Sequence, residues 1–173
     1  MILELRHAPA ALVVSRQALP TLDRSRYASA AGVAKGAYVL ADANGGGDHP
    51  DVLLLGTGSK VSLCVAAFER LTADGVRTRV VSMPSWELFE QQPQSYRDQV
   101  LPPDVAARVS VEQASSFGWD RSVAPEGARI GMETFGASAP LQELQKKFGF
   151  TLEHVVAAAR RQVEGKRVGT HAS

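Results

Sequence analysis

A chain of 173 residues with 45% hydrophobic and 21% charged side chains has the size and composition of one folded domain, far from the low-hydrophobicity, high-charge signature of disorder. Nineteen basic against 18 acidic residues leave a formal charge of +1, so electrostatics imply no nucleic-acid partner. No apolar run approaches the ~20 residues a bilayer span needs, Glu4 and Arg6 interrupt the start unlike a signal peptide, and the single Cys64 excludes an internal disulfide. The reading is a cytoplasmic protein that does not enter a membrane.

In chain order, residues 2–8 have the pattern of a short helix. Ala11, Leu12, Val13, Val14 and Ser15 read as a buried strand, although nothing before them can supply the neighbours such a strand needs. Strand candidates follow at 37–41, 52–55, 78–82, 108–112 and 128–130, alternating with helical segments. That alternation predicts a three-layer α/β fold: a mostly parallel sheet of about five strands with helices on both faces.

Between the first two of these, residues 44–50 have little to pack and read as a loop. Val61, Cys64, Val65, Phe68 and Leu71 recur at three- and four-residue steps, giving a helix over 59–73 capped by Ser59 and ended by Asp74-Gly75. Cys64 belongs to its apolar face and reads as core. Ser85 opens a short helix with Trp86, Leu88 and Phe89, after which Pro93, Pro102 and Pro103 predict irregular turns. A last helix begins at Thr151 and closes at Gly165, and residues 166–173 read as a frayed tail.

Several stretches have the residue types of a site. Gly56-Thr57-Gly58-Ser59 follows a strand and opens a helix, where main-chain N–H groups can hold an anion. Val61 replaces the third glycine of a dinucleotide fingerprint, however, which favours a tight strand-to-helix turn over a phosphate site. Gly136-Ala137-Ser138-Ala139-Pro140 lacks the second glycine of a nucleophile elbow, and Ser138 fits a helix cap before Pro140. His7, His49, His154 and His171 lie too far apart in sequence for a metal site. Glu112 and Glu133 make an imaginable carboxylate pair that sequence does not bring together. Arg16 stands just past the end of a strand candidate, where ligands gather in α/β folds, and a guanidinium suits phosphate.

Four motifs in order then carry a resemblance: Ser15-Arg16-Gln17, Gly56-Thr57-Gly58-Ser59, Val80-Val81-Ser82-Met83-Pro84-Ser85, and the run Ile130-Gly131-Met132-Glu133-Thr134-Phe135-Gly136-Ala137-Ser138-Ala139-Pro140. Together, over roughly residues 9 to 164, the chain resembles the C-terminal domain of transketolase. The resemblance implies that residues 1–35 are the last strand of a preceding pyrimidine-binding domain plus a linker, that 36–165 form the C-terminal domain, and that 166–173 trail from it. It implies that Arg16 contacts the phosphate of a sugar substrate. Ser122 and Ala124 depart from the aromatic and the glycine the family usually shows there.

Absent from these residues is the Gly-Asp-Gly type motif with which transketolases hold thiamine diphosphate and a divalent metal. The implied picture is a chain that binds no cofactor itself and is inactive alone, supporting a homodimeric enzyme. Its partners would be the missing cofactor- and pyrimidine-binding domains, in the same or a separate chain, with thiamine diphosphate and Mg in the complete enzyme. That enzyme would move a two-carbon ketol unit between sugar phosphates in the pentose phosphate pathway. The alternative is an independent, non-catalytic α/β binding or regulatory module.

Overall fold

The computed structural model describes residues 9–15, 17–43 and 49–169. Along them run β1 (Tyr38–Asp42), β2 (Val52–Gly56), α1 (Val61–Ala73), β3 (Thr78–Ser82), α2 (Trp86–Glu90), α3 (Gln94–Val100), β4 (Arg108–Ser115), β5 (Ala128–Met132), α4 (Leu141–Lys147) and α5 (Leu152–Gly169). The sheet order is β1-β3-β2-β4-β5. All pairings are parallel except that of β1 with β3 at one edge, so the expected mostly parallel five-stranded sheet is present.

Two apolar layers explain why helices cover both faces. Every residue of β2 and β3 is buried, and alternate side chains point to opposite sides. Val52, Leu54, Val80, Val109 and Val111 meet Cys64, Val65 and Leu71 of α1 and Val155, Ala159 and Val163 of α5. On the other side Leu53, Leu55 and Val81 meet Phe89 of α2, Val100 of α3 and Trp119. The chain leaves β2 through α1 to reach β3, then crosses back through α2 and α3 to place β4 on the opposite flank of β2. The carboxyl ends of β2 and β4 therefore flank a switch point in the strand order, the position where α/β sheets form ligand crevices.

The edge strand is fastened by charge. Asp42 of β1 stands opposite Arg79 of β3; Arg79 Nε and Nη2 donate to Asp42 Oδ2 at 2.7 and 2.6 Å, and Nη1 donates to the Gln99 carbonyl at the end of α3 at 2.9 Å. Both side chains are about nine-tenths buried. The segment before β1 docks through Tyr27, which is buried and donates its hydroxyl to Glu69 of α1 at 2.7 Å.

Several local expectations are corrected. Residues 11–15 form no strand: Leu12, Val13 and Val14 are 74%, 92% and 74% exposed, because the five-stranded sheet leaves them no neighbour. The region after Pro93 is not irregular throughout, since α3 begins with Pro93 as its N-cap, a position where the missing N–H has no intrahelical partner to lose. Ser59 does not cap α1. It lies within a 3-10 turn, Gly58–Lys60, and its carbonyl accepts from Ser62 Oγ at 2.9 Å. Ser138 does not cap α4, whose N-cap is Pro140 without a side-chain hydrogen bond. Gly165 does not end α5, which continues to Gly169 because one glycine costs a helix only ~1 kcal/mol. Residues 166–169 are therefore helical rather than tail. The helix expected at 2–8, the loop residues 44–48 and the tail residues 170–173 lie outside the described residues.

Replacing Asp42 with Ala strands the Arg79 guanidinium in a buried setting. The expected loss is on the order of 3 kcal/mol of stability, read as a lower urea midpoint. An unchanged midpoint would show that the pair does not anchor the edge.

Candidate functional site

The carboxyl ends of the parallel strands form one edge of the domain. After β2 the chain turns at Gly58, whose φ is +51°. Gly56 itself packs so closely that a Cβ there would stand 2.9 Å from Cys64 Sγ and 3.1 Å from Val61 Cα. The Gly56-Thr57-Gly58-Ser59 motif is thus a tight strand-to-helix turn. Burial pushes the Cys64 thiol up to about 12, so it remains neutral and belongs to the core.

Glu112 borders a cleft of about 140 Å³ with Thr57, Met83, Ser85, Trp86 and Trp119, but its carboxylate is occupied. Trp119, 1% exposed, donates its indole N–H to Glu112 Oε2 at 2.7 Å. Trp86 packs edge-on against Trp119 with ring centroids 5.3 Å apart, and Arg121 lies over Trp86 while donating to Glu90 at 2.7 Å. Ser85 Oγ accepts from Leu88 N and donates to Glu87 Oε2 at 2.9 Å. The backbone N–H of Glu87 and this hydroxyl hold the Glu87 carboxyl below the usual range. Glu133 lies exposed after β5, so the imagined pair of Glu112 and Glu133 is one half-buried structural acceptor and one surface carboxylate.

A larger cleft of about 470 Å³ is lined by Arg97, Arg108 and Arg121. Arg108, the most satisfied of them, donates to the carbonyls of Val105, Ser122 and Pro102 at 2.8 Å, holding the loop that feeds β4. A third cleft, about 310 Å³, is bounded by residues 17–20, the start of α1, Gln113 and Phe150. It contains Lys60, only 4% exposed, which the sequence reading passed over. The signal was available: Lys60 falls one helical turn before Cys64, in register with the apolar stripe.

His154 is engaged with the Gly149 carbonyl at 2.8 Å and His49 with Asp104 at 3.3 Å. Among the described residues no three His, Cys, Asp or Glu side chains come together to hold a metal ion. Arg16, His7 and His171 lie outside the described residues. Also among the described residues, no helix is long and apolar enough to cross a membrane. Along the same sheet edge Phe117, after β4, is 87% exposed and Phe135, after β5, 99%.

Fold and edge together define a three-layer α/β domain with clefts along the carboxyl ends of its strands. Residues 36–151 match the model of the transketolase-like TK C-terminal domain. The transketolase of Halalkalibacterium halodurans is 49% identical over 166 residues, 96% of this chain and 24% of that protein. That of Geobacillus stearothermophilus is 47% identical over 90% of this chain and 23% of its own length. Among solved structures, a transketolase of Pichia stipitis in complex with sedoheptulose-7-phosphate superposes with a TM-score of 0.76 at 36% identity, covering 88% of this chain and 21% of that one. A split-gene transketolase described as an inactive beta4 tetramer shares the fold at 21% identity, with a TM-score of 0.58, over 76% of this chain and 43% of that one. The chain belongs to the transketolase family, in which it corresponds to the C-terminal domain, and it spans about a quarter of the length of the curated relatives described.

Because the Cys64 thiol is buried and neutral, a thiol reagent should leave the native chain unmodified and label one cysteine once guanidinium unfolds it. Rapid native labelling would contradict the packing of α1 on β2.

Proposed function

We propose that this chain serves as the C-terminal portion of a thiamine-diphosphate-dependent transketolase, either within a longer polypeptide or as one subunit of a split enzyme. The observation that carries the reading is the 49% identity to a transketolase over 166 residues that make up only 24% of it. Its role is structural. The domain packs against the cofactor- and pyrimidine-binding domains and helps hold a homodimer, while the cofactor and Mg reside in those other domains. Exposed Phe117 and Phe135 on the loops after β4 and β5 support this, since large apolar groups presented together on one edge suit a protein partner. So does the exposed apolar run at 12–14, which would gain neighbours as the last strand of a pyrimidine-binding domain.

The bound cofactor supplies carbanion chemistry in the complete enzyme. This chain's contribution to substrate would be Arg16, placed to pair its guanidinium with the phosphate of a ketose or aldose phosphate. The Pichia stipitis relative, with its sedoheptulose-7-phosphate complex, supports a sugar phosphate as the ligand class. The domain organisation in this reading is a strand and linker over 1–35 and the C-terminal domain from 36 onward. The cytoplasm is the proposed compartment, in keeping with a free, buried cysteine, although relatives such as that of Solanum tuberosum are named chloroplastic.

The isolated chain should show no ketol transfer with thiamine diphosphate and Mg. Mixed with a polypeptide carrying the other two domains it should restore turnover, and Arg16→Ala should lower kcat/KM for a phosphorylated acceptor about 10- to 100-fold. Turnover by the chain alone, or failure of folded partners to recover activity, would refute the assignment.

A further inference from the structure

Lys60 is a buried cation that the proposed function does not use. Nine-tenths-buried lysines ordinarily have an acidic partner, yet among the described residues the Lys60 ammonium has neither an ion pair nor a hydrogen bond, while its backbone N–H donates to the Thr57 carbonyl at 3.0 Å. Its Nζ stands 5.1 Å from the centroid of the Phe150 ring. Burial lowers its pKa from the usual lysine value, and the Cys64 sulfur is the one group acting in the opposite direction. A cation so placed is incompletely compensated, and an anion is the group that would complete it.

The surroundings match such a ligand. Lys60 and Phe150 line the cleft of about 310 Å³, together with the side chains of Ser59, Ser62, Gln113 and Gln145. The cleft opens at the switch point between the ends of β2 and β4, beside the first turn of the 13-residue α1, which has no side-chain cap. The positive end of that helix adds to the ammonium. The Ser59 hydroxyl of the 3-10 turn and the amides of Gln145 in α4 and Gln113 in β4 border it, the Ser62 hydroxyl being already committed to the Ser59 carbonyl, whereas Leu63, Leu141 and Phe150 supply apolar walls. By contrast, Arg108 in the larger cleft already donates to main-chain carbonyls.

We infer that this cleft binds a small phosphate ester, its phosphoryl oxygens on Lys60 and the surrounding donors and its carbon skeleton against Phe150 and Leu63. Donors radiating from three elements suit a tetrahedral group with several acceptor oxygens better than a planar carboxylate. The site is built on Lys60 and other described residues of this chain, so its test does not depend on the transketolase role.

The test titrates the full chain with phenyl phosphate, and separately with benzoate and with chloride at matched ionic strength, following amide resonances and the thermal midpoint. Phenyl phosphate should saturate with a Kd on the order of 1 mM, shift the resonances of Ser59 to Ser62 and raise the midpoint, with benzoate weaker. Lys60→Met, an apolar replacement of similar length, should bind at least about tenfold more weakly while keeping the native spectrum. If that variant fails to fold, Gln113→Glu at the exposed rim should weaken phenyl phosphate by charge repulsion. No saturable binding to the native chain, equal affinity in Lys60→Met or Gln113→Glu, or tighter binding of benzoate would each overturn the inference.

Discussion

The architecture depends on a strand with no polar face. Val52, Leu53, Leu54 and Leu55 are wholly buried, and because consecutive side chains in a strand point to opposite sides, this run cannot be satisfied by one layer. It needs an apolar helical face above and another below, each buried side chain contributing on the order of 2 kcal/mol relative to exposure. Its backbone needs parallel neighbours on both flanks, which β3 and β4 supply. From that follow the out-and-back route of the chain, the switch point beside β2, and the clustering of loops at the carboxyl edge.

Because that constraint is written in local composition, most of the fold was legible. Strand positions and the apolar stripe of α1 could be read directly, since both are periodic and neither relies on a distant partner. What was missed depended on context. Pro93 looked like a breaker, yet α3 forms because the proline sits ahead of the first turn while Val100 and Tyr96 find places against the second core. Ser59 and Ser138 looked like caps, but a 3-10 turn in one case and Pro140 in the other set the helix starts one or two residues later. Leu12, Val13 and Val14 looked buried because their composition is that of a core strand; burial also requires a neighbour, and composition does not supply one.

The edge was harder to read than the fold. Sequence singled out glycines and carboxylates, yet close packing against Cys64 and Val61 accounts for Gly56, and the Trp119 indole, itself almost completely buried, accounts for Glu112. A carboxylate already serving a buried donor is poorly available for proton transfer, since releasing it leaves that donor unsatisfied. Lys60 shows the opposite case: an ordinary residue type at an ordinary helix start becomes unusual only when Phe150, from the far end of the chain, folds over it.

These two kinds of side chain divide the edge by function. Phe117 and Phe135 project from it as large apolar groups left almost wholly in water, Phe135 at the lip of a cleft with Met132, Leu144 and Phe148, as expected of surface shaped by a macromolecular partner. The Lys60 cleft is recessed, walled by α1 and α4, and small, as expected of a site shaped by a small molecule. Both lie where the strands end, because that is where loops are free to vary without disturbing β2. A domain can therefore lend rigidity to a larger enzyme through one part of this edge and hold a ligand in another, with the same buried strand fixing the distance between them.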